Sequence, residues 1–190
     1  MTWNDLDFPS DQCIELEIGC GRGEFLIEIA RENPLSRFVG IEIAPEKCRE
    51  AEQKISEAGI SNARVVNGEA YEFMVHLPDS CISSVHLYFP SPRGLKELGL
   101  KHWAFTLSFS NEIHRILIPK GTLRIVTSHE RYFARMERIL KKEFMKWCSI
   151  SWIPPLLSLR EGIVGTPWER KVRKLEYSVF KMQFQKRGSE

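Results

Sequence analysis

An apolar, strand-length run at residues 14–18 opens directly into Glu17-Ile18-Gly19-Cys20-Gly21-Arg22-Gly23. Three alternating glycines let the backbone take positive φ and let a ligand approach it closely. The next residues, 23–31, put Phe25, Leu26, Ile29 and Ala30 on one helical face. Asn33-Pro34 closes that helix, because a residue before proline resists helical geometry. A glycine loop set between a strand and a helix is the first unit of an open, mostly parallel α/β sheet.

The rest of the chain repeats the alternation. Strands are expected at 37–43, 64–67, 83–89 and 122–127, and two less periodic closing strands at 145–152 and 176–184. With the first, that makes seven. Between them helices are expected at 45–58, 69–77, 104–116 and 130–142, with Pro45 suited to a first turn and Gly59 to a C-terminal cap. Pro90-Ser91-Pro92-Arg93-Gly94 must be loop, Pro119-Lys120-Gly121 a turn, and 162–171 reads as loop. At 190 residues the chain is expected to form one domain.

Composition excludes several classes. The chain is 43% hydrophobic and 27% charged, which is globular rather than disordered or fibrous. No apolar run approaches the ~20 residues of a membrane span, and the start lacks the basic-then-apolar pattern of a signal peptide. The five cysteines are irregularly spaced without a CxxC, which points to a reducing, cytoplasmic setting. Five scattered histidines give no metal-ligand spacing, so no metal is expected. The net charge of +2 hides a split. Residues 1–95 hold 8 Lys/Arg against 16 Asp/Glu, whereas residues 96–190 hold 19 against 9. The second half therefore suits a polyanion partner, or else carries a solvated basic surface.

The loop spacing discriminates between ligands. A dinucleotide fingerprint would place a third glycine where Glu24 stands, and that acid would repel a pyrophosphate at the helix start. S-adenosylmethionine has no phosphate, and its sulfonium and amino group are cationic and suit Glu17. Glu42 ends the second strand where a ribose clamp belongs. Asn67-Gly68-Glu69-Ala70 continues the plan, with an acid able to accept from an adenine amino group beside a small residue. The expected cofactor residues are Glu17, Gly19, Gly21, Gly23, Glu42, Ile43, Glu69 and Ala70.

These motifs, together with Leu87-Tyr88-Phe89-Pro90-Ser91-Pro92, Thr127-Ser128 and Thr166-Pro167-Trp168-Glu169, resemble the bacterial tRNA (guanine-N7)-methyltransferases. The resemblance runs from about residue 13 to about residue 184. It implies a Rossmann-like class I methyltransferase fold with helices on both sheet faces and residues 1–95 as the cofactor half. Residues 96–190 would face the tRNA, and S-adenosylmethionine would be the cofactor, held by Glu17, Glu42 and Glu69. The family has Asp at the third of these positions. It also implies Ser91, Lys96, Ser128, Thr166, Trp168 and Glu169 as acceptor-binding residues, with Ser91 at the catalytic position. Here the chain departs from the family pattern. The family reads phenylalanine–proline–aspartate–proline–tryptophan–proline–lysine, whereas this chain reads Phe89-Pro90-Ser91-Pro92-Arg93-Gly94-Leu95-Lys96. Ser128 likewise stands where the family has aspartate.

Guanine N7 carries a lone pair and no proton, so its methylation needs alignment and charge stabilisation rather than a general base. Ser91 offers one neutral hydrogen bond in place of a charge-assisted pair. Glu169, or His129 and Glu130 just past Ser128, are the acids and histidine near enough in sequence to compensate. Arg131, Arg135, Arg138 and Lys142 share one helical face, and Arg170, Lys171, Arg173 and Lys174 form a second basic cluster, both suited to tRNA phosphates. Three readings fit: the family reaction, a methyltransferase with another RNA position or a small molecule as acceptor, and a non-catalytic relative that binds cofactor and RNA. The sequence leaves monomer and homodimer equally open.

Overall fold

The computed structural model describes residues 14–90, 105–155 and 163–188. Seven strands form one sheet: β1 (Ile14–Ile18), β2 (Arg37–Glu42), β3 (Ala63–Asn67), β4 (Ile82–Tyr88), β5 (Leu117–Thr127), β6 (Trp147–Ile150) and β7 (Phe180–Lys186). Six helices are described: α1 (Glu24–Glu32), α2 (Pro45–Glu57), α3 (Ala70–Val75), α4 (Leu107–Ile116), α5 (Glu130–Lys142) and α6 (Pro167–Lys174). The strand order is β3-β2-β1-β4-β5-β7-β6. The first five strands are parallel, and β7 runs antiparallel to both β5 and β6. From β1 the chain moves outward through β2 to β3, then returns to β4 on the other side of β1. The order therefore reverses between β1 and β4, and ligands of such sheets sit in the crevice at that reversal.

Each sheet face carries its own core. On one, Leu16, Val85, Leu87 and Ile125 pack with Met74 of α3, Ile113 of α4 and Met136 of α5. On the other, Phe38, Val65 and Val126 pack with Phe25, Leu26 and Ile29 of α1 and Ala51 and Ile55 of α2. Asn62 ties this second layer together: its Nδ2 reaches the carbonyls of Ala30, Asn33 and Ser36 at 3.0–3.1 Å, closing the turn after α1 onto the start of β3. Replacing Asn62 by alanine leaves those acceptors short of a donor, at about 1–3 kcal/mol. The expected result is a melting temperature lower by roughly 2–12 °C, given ~2–4 °C per kcal/mol at this chain size, read by scanning calorimetry.

The structure departs from the expected elements where a cap or a bulge decides. The helix expected at 104–116 begins at Leu107, because the Thr106 hydroxyl accepts from the Phe109 N–H at 3.1 Å. The turn at Pro119-Lys120-Gly121 lies inside β5. Lys120 takes φ 64° there, and the β4–β5 register jumps between Ile82 and Ser84. Strand β4 stops at Tyr88, and Phe89 turns away with φ 48°. The segment expected as loop at 162–171 holds the start of α6, which runs on to Lys174. Thr166 caps it from the N-cap position, Pro167 stands in its first turn, and Glu169 sits three residues after the threonine. That is a capping-box spacing, legible in the sequence but unused there.

Candidate active site

A cleft of about 750 Å³ opens at the carboxyl ends of β1, β2 and β4, at the reversal of strand order. That is the size of a pocket for a small ligand.

Part of the wall is built by the glycine loop. Gly19 and Gly21 take φ of 75° and 58°, and a Cβ on either would meet nothing within 4 Å. Both line the cleft, so the backbone there is open to a ligand. The loop is tied back to β2 by the N–H groups of Gly19 and Cys20, which donate to the Ile41 carbonyl at 2.8 and 3.0 Å. Gly23 is different. It is absent from the cleft wall and forms the left-handed N-cap of α1, where a Cβ would stand 3.1 Å from the Ala51 side chain. Its lack of a side chain allows the close approach of α1 to α2.

Glu17 is 5% exposed, lines the cleft, and its Oε2 has no hydrogen-bond partner among the described residues. Burial, with Glu24 and Glu42 nearby, pushes its carboxyl up to about 8. At neutral pH it therefore holds a proton that an arriving cation would displace. Glu42 ends β2 with its carboxylate fixed: Oε2 accepts from the Gly21 N–H and Oε1 from the Ala44 N–H, each at 3.0 Å. Each oxygen keeps a lone pair for a further donor. Glu69 caps α3 through Oε2, which accepts from the Glu72 N–H at 2.9 Å, and it lines the cleft beside Ala70. Ile43 completes this wall. Glu24 also reaches the wall, but Lys54 stands 3.1 Å from it and offsets its charge.

Tyr88, Phe89, Phe105, Tyr132, Thr166 and Trp168, six side chains without charge, stand on the same wall. Tyr88, Phe105 and Tyr132 are buried core residues that also floor the cleft. Nothing in their helical or strand spacing separates those two roles, so sequence reading passed them over. The Tyr88 hydroxyl is held 2.7 Å from His86 Nδ1, and His86 Nε2 stands 2.6 Å from Glu15. Burial lowers the His86 pKa; at Glu15 burial pushes upward, but the His86 hydrogen bond together with the charge interactions of His86 and Arg124 outweighs it and holds that carboxyl low. The neutral ring therefore donates to an ionised Glu15 and accepts from Tyr88. His86 fixes a cleft residue from behind and does not reach the cleft itself.

Of the expected acceptor residues, Thr166 and Trp168 stand on this wall, and Trp168 is 51% exposed. Ser91 and Lys96 lie outside the described residues. Ser128 is half-buried where the chain turns from β5 into α5, and it is not on the wall; Tyr132, one helical turn on, occupies that side. Glu169 is also off the wall, being 1% exposed and turned inward. Its carboxylate accepts from the backbone N–H groups of Ile163, Val164 and Gly165 at 2.7, 2.7 and 2.9 Å, and from Arg173 Nε at 2.8 Å. Burial would raise its pKa, but the bonds from Val164, Arg173, Ile163 and Gly165 outweigh that and hold it low. Four donors fill its four principal lone-pair directions, so it cannot replace a missing acid at the base.

The sequence of residues 11–182 matches the family described as "Putative methyltransferase". The chain belongs to this methyltransferase family. Among its relatives, the tRNA (guanine-N(7)-)-methyltransferase of Rubrobacter xylanophilus is 30% identical over 72% of this chain. That of Rhizobium johnstonii is 28% identical over 91% of this chain and 74% of its own length. The chain spans about three fifths of the length of the first curated relatives it matches, 60% for the Rubrobacter protein and 59% for that of Geobacillus kaustophilus. Among solved structures, the 16S rRNA methyltransferase KamB superposes with TM-score 0.69 at 14% identity, covering 98% of this chain and 93% of KamB. The [4+2]-cyclase SpnF superposes at 0.66 with 16% identity, covering 94% and 76%. These likenesses establish the Rossmann-like class I fold of the methyltransferase. A cyclase shares it, so the fold alone does not assign the reaction. Among the described residues of this family member, no cluster of three metal-binding side chains gathers, and no helix is long and apolar enough to cross a membrane.

Proposed function

We propose that the protein uses S-adenosylmethionine to methylate guanine N7 in tRNA. The observation that carries the cofactor half is Glu17: a buried carboxylate with an unpartnered oxygen on the wall of a nucleoside-sized cleft. Such a group is tolerated where a donor or cation arrives to meet it. When bound, S-adenosylmethionine supplies a methyl group on a cationic sulfur. Glu17 receives the cationic end, Glu42 the ribose hydroxyls through its remaining lone pairs, and Glu69 with Ala70 the adenine. Gly19, Gly21 and Ile43 shape the wall around them.

The acceptor end suits a reaction without proton abstraction. N7 needs no base, and the aromatic side chains on the wall can align a purine by stacking. Thr166 and Trp168 hold the base from the α6 side, and we assign Ser91 and Lys96 to its edge and backbone. The relatives named above act on tRNA, and the exposed cations fit that polyanion. Arg131, Arg135, Arg138 and Lys142 all lie exposed on α5, opposite buried Tyr132, Met136 and Leu140. On α6, only Glu169 and Val172 face inward while Arg170, Lys171, Arg173 and Lys174 face out. We place both roles in one domain working in the cytoplasm, in keeping with the unbridged Cys20, Cys48, Cys81 and Cys148.

Incubation with labelled S-adenosylmethionine and tRNA lacking N7-methylguanosine, followed by nucleoside analysis, tests the reading. N7-methylguanosine is the expected product. A different methylated nucleoside would mean that the acceptor end has been respecified, as the serines at 91 and 128 allow. Bound cofactor with no methylated tRNA nucleoside would exclude tRNA as the acceptor.

A further inference from the structure

Glu169 is the most completely bonded carboxylate among the described residues, yet it touches no part of the cleft. What it holds does. The three consecutive N–H groups that converge on it belong to Ile163, Val164 and Gly165, and the next residues, Thr166, Pro167 and Trp168, all stand on the cleft wall. Successive backbone N–H groups turned to one side form an anion-binding concavity. Here the anion comes from the same chain, four to six residues on.

Two further bonds lock the same turn. The Glu169 N–H donates to the Thr166 hydroxyl at 3.1 Å, and Arg170 donates to the Gly165 carbonyl. Gly165 takes φ 72°, a conformation that a side chain resists. Trp168 itself is half exposed, with Lys171 Nζ 5.1 Å from its ring centroid. An exposed indole has little packing of its own to fix it, so its position depends on the turn beneath it.

We propose that Glu169 is a positioning residue: its buried carboxylate shapes the 163–166 turn so that Thr166 and Trp168 stand ready to receive a purine, and it never contacts that base. This rests on the proposed tRNA reaction for the identity of the acceptor. The clamp itself rests on geometry alone. Trp168, half exposed on the cleft wall, then offers an aromatic surface on which a purine can stack.

Amide hydrogen exchange and steady-state kinetics on Glu169→Gln test the proposal together. In the free protein the amides of residues 163–165 are expected to exchange much faster in Glu169→Gln than in the wild type, while those of α1 and α2 are unchanged. Unchanged exchange at 163–165 would overturn the clamp whatever the acceptor is. With tRNA, KM for the acceptor is expected to rise about tenfold, the scale of one lost charge-assisted hydrogen bond, with kcat and cofactor affinity held. Glu169→Asp, which keeps the charge on a shorter arm, is expected to fall between the two. A fall in kcat at constant KM would instead place Glu169 on the reacting base and sink the proposal. The wild type gives a check free of any folding defect. Its 163–165 amides are expected to stay protected when tRNA binds, and their deprotection would show the carboxylate swinging to the substrate. If the wild type neither binds nor methylates tRNA, the functional reading fails, and the free-protein exchange still decides the clamp.

Discussion

Replacing Glu17 by glutamine is expected to weaken S-adenosylmethionine binding by roughly tenfold to a hundredfold at pH 8, the span of one lost charge-assisted hydrogen bond. The larger signature is in the pH dependence. With its carboxyl raised to about 8 in the free protein, Glu17 must give up a proton to meet a cation. Wild-type affinity should therefore rise about tenfold per pH unit from pH 6 towards 8, as expected when one proton is released on binding. Above that it should level off or fall, because the ligand's own amino group deprotonates near about pH 8. Glu17→Gln has no proton to lose there, so its acid limb should be flat. The stability of the free protein runs the other way. A carboxyl whose folded pKa lies above its unfolded value contributes fully below the unfolded value, near about 4.3, and that contribution is lost as pH rises through about 8. The wild-type melting temperature should thus fall over that window, the glutamine variant should fall less, and added cofactor should raise it most at the alkaline end. Isothermal titration and calorimetry across pH 6–9 read all of this. An acid limb that persists in the glutamine variant would mean another group titrates on binding.

The second large effect is expected at Gly40→Ala. Gly40 lies in β2 directly behind the glycine loop, and a Cβ there would stand 2.7 Å from Cys20 Sγ and 2.9 Å from both Cys20 Cβ and Leu26 Cδ2. Cys20 and Leu26 are 5% and 1% exposed, and of the two only Cys20 borders the open cleft. Overpacking of this kind costs about 1–3 kcal/mol, and the melting temperature should drop by roughly 2–12 °C at this chain size. The damage should also reach the cleft. The easiest relief is to push Cys20 outward, and its neighbours Gly19 and Gly21 carry the open backbone that a cofactor would approach. Gly40→Ala should therefore lose cofactor affinity along with stability. Gly68→Ala is the control, since a Cβ there meets nothing within 4 Å and should leave the melting temperature unchanged.

Local pattern made the first half of the molecule readable. The strand, glycine loop and helix at residues 14–32 match the expected elements to within a residue, because apolar periodicity and glycine placement act over a few neighbours. Glu17, Glu42 and Glu69 were legible as cleft residues for the same reason: each lies at or just past the carboxyl end of a strand, and those ends define the cleft. The acceptor end resisted. Tyr132 floors the cleft from a helix some 110 residues beyond the glycine loop, and spacing alone marks it only as core. Glu169 shows the opposite failure. Its motif pointed to substrate, but three backbone N–H groups from the preceding turn claimed the carboxylate first, and no pattern in the residue letters reveals such a claim. Its place three residues after Thr166 was the available clue, and it announced a helix rather than a ligand.

The placement of β7 between β5 and β6 has a consequence for the order in which this protein can be made. Strand β6 bonds to the sheet only through β7, although it is synthesised about thirty residues earlier. While the chain emerges from the ribosome, the parallel half from β1 to β5 can close on its own helices, since domains fold from the first residues made. The outer edge of β5 then remains a bare row of hydrogen-bonding groups, open to any passing strand. It is covered when β7 pairs with it, and β6 and the connection bearing α6 are gathered in at that same moment. The wall of Thr166 and Trp168 is thus the last part of the cleft to be set in place. A nascent chain would hold the glycine-loop part of the cleft before it held the α6 wall.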